Sequence, residues 1–327
     1  MTYSQFHRYR HTQSLRDLFQ EKTLTVNDVI LPIFIHESLT QKKEIASLPG
    51  MFQWSLADLS DEIKSAVDLG IKAVILFGIP SKKDDIGSEA DNPNGIIQKA
   101  ITLIKSIAPH LVVIADTCLC EYTSHGHCGI QKDGHLDNPK TLTRLASIAV
   151  SYANAGADMI APSGMMDGMV LAIREALDHH HYHRVSIMSY SVKYASGLYG
   201  PFRDAAGSGD NFKGNRNHHQ MNITQSREAI LEAEADIQEG ADIIMVKPAG
   251  TYLDIICKLR DRFNHPIAAY QVSGEYSMLK AAVKAGILDE EKAMIESLAA
   301  IKRAGADLII TYYAKQLAKY LSPTLQT

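Results

Sequence analysis

The stretch QEGADIIMVKPA, Gln238–Ala249, shows the fold in miniature. A helical pattern, SREAILEAEADIQEG, runs into Gly240, where glycine supplies a left-handed helix cap. Ala241 and Asp242 then lead into a short, continuously apolar run, the pattern of a buried strand. The same joint recurs in NAGADMIAPS (Asn154–Ser163) and RAGADLIITYYA (Arg303–Ala314), and more loosely in DLGIKAVILFGIP (Asp68–Pro80). Repeated helix-to-strand joints are the grammar of βα units.

Working outward, the apolar runs number about eight, the count a (β/α)8 TIM barrel requires. They are Val29–Ile35, Ala73–Ile79, Leu111–Thr117, Met159–Pro162, Val185–Ser191, Ile243–Val246, Ile267–Val272 and Leu308–Tyr312. Each is apolar throughout rather than alternating, as expected of parallel strands covered on both faces. A doubly wound open sheet would favour a glycine-rich turn after the first strand, and LPIFIHESLT has none. The reading is an α/β (β/α)8 barrel over residues 26–327, preceded by an arm, residues 1–25, that fits no barrel element. The arm's Phe6, Arg8, Tyr9 and Arg10 suit docking on a partner subunit or, alternatively, a frayed terminus.

With 327 residues, 46% hydrophobic and 21% charged, the chain has an ordinary globular composition. A formal charge of −4 gives no electrostatic reason to expect nucleic acid or an anionic membrane. The chain has no apolar run of membrane-spanning length, and its N-terminus lacks a signal-peptide core. The expected compartment is the cytoplasm, where thiols stay reduced.

Barrel sites form at the C-terminal ends of the strands. Lys247 follows DIIMV directly, and Lys193 follows the fifth run. A lysine there either snorkels outward or, desolvated beside another cation, becomes a neutral amine able to attack a carbonyl. Asp116 lies at the end of the third run, and three of the chain's four cysteines, Cys118, Cys120 and Cys128, follow it. In extended chain Cys118 and Cys120 point to one side, and Cys128 can return over them. Three thiols and an open position suit a catalytic zinc site; the bland alternative is three reduced thiols. His125 and His127 fit supporting roles, and Cys257 reads as a buried helix cysteine. The histidine-rich DHHHYHR (Asp178–Arg184) falls on the far face of the barrel and reads as a solvated turn. The aperiodic segment Gly197–Gln220 reads as an active-site lid, whose Arg203 and Arg216 either clamp a carboxylate or are solvated.

Three long motifs, DTCLCEYTSHGHCG, SYSVKYASGLYGPFRDAAGS and MVKPAGTYLDI, occur in order, and the resemblance they carry spans nearly the whole chain. On them the chain resembles the porphobilinogen synthase, or δ-aminolevulinic acid dehydratase, family, in its zinc-cysteine subgroup. The resemblance implies a lyase that condenses two molecules of 5-aminolevulinate into porphobilinogen, with loss of two waters. It implies Schiff-base roles for Lys247 and Lys193, and zinc ligation by Cys118, Cys120 and Cys128. It implies carboxylate binding by Arg203, Arg216 and Gln220 at one substrate and by Ser273 and Tyr312 at the other. Asp116, Ser163, Tyr199 and Phe202 would line the same cavity. Glu232 would help hold an allosteric magnesium, with a solvated glutamate as the alternative. A homo-octamer joined through N-terminal arms is implied as well. Two rivals remain at this stage, another Schiff-base barrel lyase and a non-catalytic zinc-stabilised scaffold.

Overall fold

The computed structural model describes residues 4–133, 135–207 and 216–322. Eight parallel strands form its centre: β1 (Val29–His36), β2 (Ala73–Ile79), β3 (Val112–Thr117), β4 (Met159–Pro162), β5 (Ser186–Lys193), β6 (Ile243–Lys247), β7 (Ile267–Tyr270) and β8 (Leu308–Ile310). Neighbours in sequence are neighbours in the sheet, and β8 closes on β1 through Val29–Ile309 and Ile30–Ile310. Helices cover the outside, among them Leu56–Asp68, Ile96–Ile107, Asn138–Ala155, Met169–His179, Glu228–Glu239 and Glu290–Ala304. This is the (β/α)8 barrel the apolar runs predict.

The recurring joint has a physical explanation in two parts. Gly156, Gly240 and Gly305 end their helices at φ 105°, 107° and 120°, values that disfavour a side chain. The aspartate two residues on then latches a neighbouring strand. Asp158 accepts the Val113 N–H at 2.7 Å, Asp242 that of Ile187 at 2.7 Å, and Asp307 that of Ile267 at 2.8 Å. Asp242→Ala therefore strands a donor on a fully buried residue. The expected loss is about 1–3 kcal/mol, read as a lowered thermal midpoint; an unchanged midpoint would refute the latch.

Strand β5 pairs with β6 irregularly. Ile244 faces Ser189, but Val246 faces Val192, so β5 carries one extra residue, a β-bulge, before Lys193 meets Lys247.

Several expectations need correction. Lys193 and Lys247 are the last residues of their strands, not residues beyond them. Strands β7 and β8 end two residues early, so Ser273 opens a helix (Ser273–Lys284) and Tyr312 lies past its strand. The lid segment does not begin as loop: Gly197–Tyr199 and Gly200–Ala205 are helical. The Ser196 side chain caps the first, and Pro201 sits in the opening turn of the second, where a missing N–H is harmless. Lid residues 208–215 lie outside those described. Cys257 is helical as expected, but exposed rather than buried. DHHHYHR is a largely exposed turn at the end of the Met169–His179 helix.

Among residues 4–25, Phe6–Arg10 and Gln13–Leu18 form two short helical turns, the second capped by Thr12. Phe6, Leu18 and Phe19 stand 59%, 75% and 57% exposed, large apolar groups left without cover in the isolated chain.

Candidate active site

Parallel pairing places Lys193 and Lys247 side by side at the barrel mouth, both buried. Lys193 Nζ donates to the Ser163 carbonyl at 2.6 Å. Lys247 Nζ sits in an aromatic enclosure, 4.4 Å from the Tyr270 ring centre, 4.9 Å from Tyr190, 5.0 Å from Phe202 and 5.3 Å from Tyr199. Burial, then the charge of Lys193, pulls the Lys247 pKa down to about 7, against the attraction of Asp116. Burial and Glu121 push Asp116 up to about 7, although both lysines oppose this. Ser163 Oγ donates to Asp116 Oδ2 at 3.0 Å, which ties two cavity residues expected from the sequence to each other. The chemistry available is that of a buried amine, about half of it neutral near pH 7, with a carboxyl group nearby to exchange protons.

The three thiols converge. Cys118, Cys120 and Cys128 are buried, and their Sγ atoms all lie within 4.8 Å of one another, the one such cluster among the described residues. The chain is not extended here, as the sequence argument assumed; it leaves β3 at Thr117 and bends through Leu119 and Cys120. That bend sets the Cys118 and Cys120 sulfurs 3.3 Å apart, and Cys120 Sγ donates to the Glu121 carboxylate at 3.1 Å. Hydrogen bonds from Cys118 and Cys120 pull the Cys128 thiol well below its usual pKa, so one of the three already favours the thiolate. Three sulfurs at this separation fit a soft divalent ion. His125 and His127 are not in the clustered set; the backbone N–H of His127 donates to His125 Nδ1 at 3.1 Å.

Residues 197–205 and Arg216 pack against this floor. Tyr199 Oη donates to the carbonyls of Tyr194 (2.7 Å) and Lys247 (3.2 Å). The Phe202 N–H donates to Ser273 Oγ at 2.9 Å, joining a lid residue to an expected carboxylate binder. A Cβ on Gly274 would stand 2.5 Å from the Leu198 carbonyl, so only glycine admits this approach. Arg216 is buried, and its Nη2 donates to the Gly126 carbonyl at 3.0 Å, inside the cysteine loop. Burial, then the charge of Arg216, lowers the Arg203 pKa, which places two guanidinium groups in one electrostatic neighbourhood. Gln220 is buried beside them in sequence, and Tyr312 Oη shares a 3.2 Å hydrogen bond with Tyr270.

Glu232 lies elsewhere. With Asp167 and Asp236 it lines a cavity of about 290 Å³ on the outer face of β5. Burial and the surrounding acids push its pKa up to about 7. Sequence reasoning missed Tyr190 and Tyr270, which enclose Lys247, and Glu121 beside the thiols. Tyr270 was findable as the inward-facing end of an apolar run; Tyr190 was not, because the bulge upsets the alternation.

The family profile described as Delta-aminolevulinic acid dehydratase matches residues 3–320. The chain belongs to the delta-aminolevulinic acid dehydratase family. A family member from Synechocystis sp. is 54% identical over 318 residues, covering 96% of this chain and 97% of its own. Another, from Bacillus subtilis, is 51% identical over 321 residues, covering 98% and 99%. The crystal structure of the Toxoplasma gondii ME49 family member, in complex with the reaction product porphobilinogen, has a TM-score of 0.96. It is 41% identical and covers 100% of this chain and 95% of that one. The chain is a lyase of the dehydratase type, and porphobilinogen synthesis is its activity. No described helix is long and apolar enough to cross a membrane.

Proposed function

We propose that the two lysines divide the work between two molecules of 5-aminolevulinate. The observation that carries this reading is their pairing at one register of adjacent strands, both buried, where burial and the neighbouring ammonium lower the Lys247 pKa to about 7. The neutral Lys247 amine attacks the ketone carbon of the first substrate. Water leaves, and the protonated imine formed on Lys247 is an electron sink for the neighbouring carbon. Lys193 treats the second ketone in the same way. One C–C and one C–N bond then join the substrates, both lysines are freed, and the net loss is two waters. Asp116, hydrogen-bonded to Ser163, is placed to move protons between these steps.

Identical substrates need distinct grips to acquire distinct fates. Arg203, Arg216 and Gln220 hold one carboxylate under the lid, and Ser273 with Tyr312 the other. Tyr199 and Phe202 cover Lys247 and exclude water. Arg216→Ala is expected to weaken second-substrate binding by on the order of 2–5 kcal/mol, as loss of one buried charge-assisted partner implies. Steady-state kinetics with unchanged KM and kcat would remove Arg216 from this role.

Cys118, Cys120 and Cys128 would hold zinc. Bound there with an open position, the ion supplies Lewis-acid polarisation of a substrate oxygen. Three thiols that must stay reduced also favour a cytoplasmic setting. Glu232, with Asp167 and Asp236 alongside, is a carboxylate group whose crowding a magnesium ion would relieve. The bare apolar residues of the arm suit burial against a second copy, in the octamer the resemblance implies. The direct test is incubation with 5-aminolevulinate under reducing conditions with zinc, reading porphobilinogen by its colour reaction; no product would refute the reading.

A further inference from the structure

The lysine pairing depends on an irregularity that the sequence pattern hides. Tyr190 and Lys193 are three residues apart, and in a regular strand an odd separation points side chains to opposite faces. Here both face the barrel interior, with Lys193 Nζ 5.6 Å from the Tyr190 ring centre. The bulge between Ser189 and Val192 makes this possible. Were the pairing begun at Ile244–Ser189 continued without it, Val192 would stand opposite Lys247 and Lys193 would face the helix layer.

Something must favour the bulged register over the regular one. On the outer face, Asp236 from the Glu228–Glu239 helix reaches the strand at this point. Ser189 Oγ donates to Asp236 Oδ2 at 2.6 Å. The Ser191 hydroxyl, on the same face, donates instead to the Ser189 carbonyl at 3.4 Å, and Ser191 lines the same cavity as Asp236. Ser189, Ser191 and Asp236 are all buried, at 0%, 1% and 9% exposure. A buried hydrogen bond between a hydroxyl and a carboxylate is costly to break, because each group loses its partner.

We infer that Asp236 is a positioning residue: by gripping Ser189, where the β5 bulge begins, it holds the bulge that turns Lys193 into the barrel beside Lys247. It touches neither substrate nor lysine. Its effect should fall on Lys193 and spare Lys247, whose strand it does not hold. This rests on the Schiff-base reading above.

The test is borohydride trapping with 5-aminolevulinate, followed by peptide mapping of label on the two lysines. Asp236→Ala is expected to lose label at Lys193 by about tenfold or more while label at Lys247 stays within about twofold, with kcat down on the order of 10²-fold, as a displacement of about 1 Å implies. Asp236→Asn, which keeps an acceptor, should recover most of the Lys193 label. Ser189→Ala removes the hydroxyl that Asp236 holds and serves if Asp236→Ala does not fold; its Lys193 label should fall selectively too. Equal loss at both lysines, or normal label at both, overturns the inference. Absence of any adduct in the wild type sinks the Schiff-base reading, and this inference with it.

Discussion

Replacing Lys247 with alanine is expected to abolish turnover, by on the order of 10⁴-fold or more, as loss of a nucleophile does elsewhere. The borohydride-trapped adduct should vanish with it. The fold should survive, because alanine at this buried position leaves no unpaired charge. The lowered pKa also makes a statement about stability. Between about pH 7 and the ordinary lysine range near 10.5 the unfolded chain binds the proton and the folded chain does not. Folding stability therefore rises with pH across that window, and the protonated lysine works against the fold below it. Lys247→Ala escapes this penalty, so its thermal midpoint near pH 7 should not fall below that of the wild type. In the wild type, the rate of adduct formation should rise through pH 7 as the amine loses its proton. Lys193→Ala, also nearly inactive, should still trap the first substrate. Label outside the peptide IIMVKPAGTY in that variant would show that Lys247 is not the first nucleophile.

The second large effect concerns the thiols. A strong chelator, an oxidant or Cys128→Ala should each remove activity, by on the order of 10³-fold if a metal supplies several kcal/mol of stabilisation to the reaction. Zinc with a reductant should restore the chelated and oxidised protein, not the variant. Circular dichroism separates this from a metal needed only for folding. The three thiols are a small part of one large barrel core, most of which lies away from them, so the chelated protein should keep its secondary structure. Unfolding on chelation would favour the scaffold reading; full activity in a metal-free preparation would exclude a metal role altogether.

Much of this was legible in the chain. Eight apolar runs and their Gly-Ala-Asp joints gave the barrel, because parallel strands buried on both faces leave a signal that does not depend on side-chain direction. The lysines and cysteines stood out because charge and thiol are unusual at strand ends. Direction was harder to read. The bulge in β5 breaks the alternation, so Tyr190 could not be assigned to the interior. The latching role of Asp158, Asp242 and Asp307 was equally hidden, since an aspartate before a strand says nothing about which neighbour it binds. The helical start of the lid was masked by Gly197 and Gly200, each of which opens its helical segment, where helix propensity matters least. Cys257 was misjudged because a helix has two faces and one residue does not say which it occupies.

The pairing of Lys193 with Lys247 has a last consequence, one of measurement. Adjacent parallel strands stand about 4.8 Å apart, a spacing fixed by backbone hydrogen bonds and indifferent to side chains. Two molecules anchored at such a pair inherit that spacing as a ruler. Point mutation in the lid can change what grips their far ends, and thereby which molecules are accepted, but it leaves the ruler as it is. Homologues of the substrate with a longer carboxylate tether should thus be improvable by changes in the lid. Those with the ketone moved along the chain should resist any change short of rebuilding the sheet.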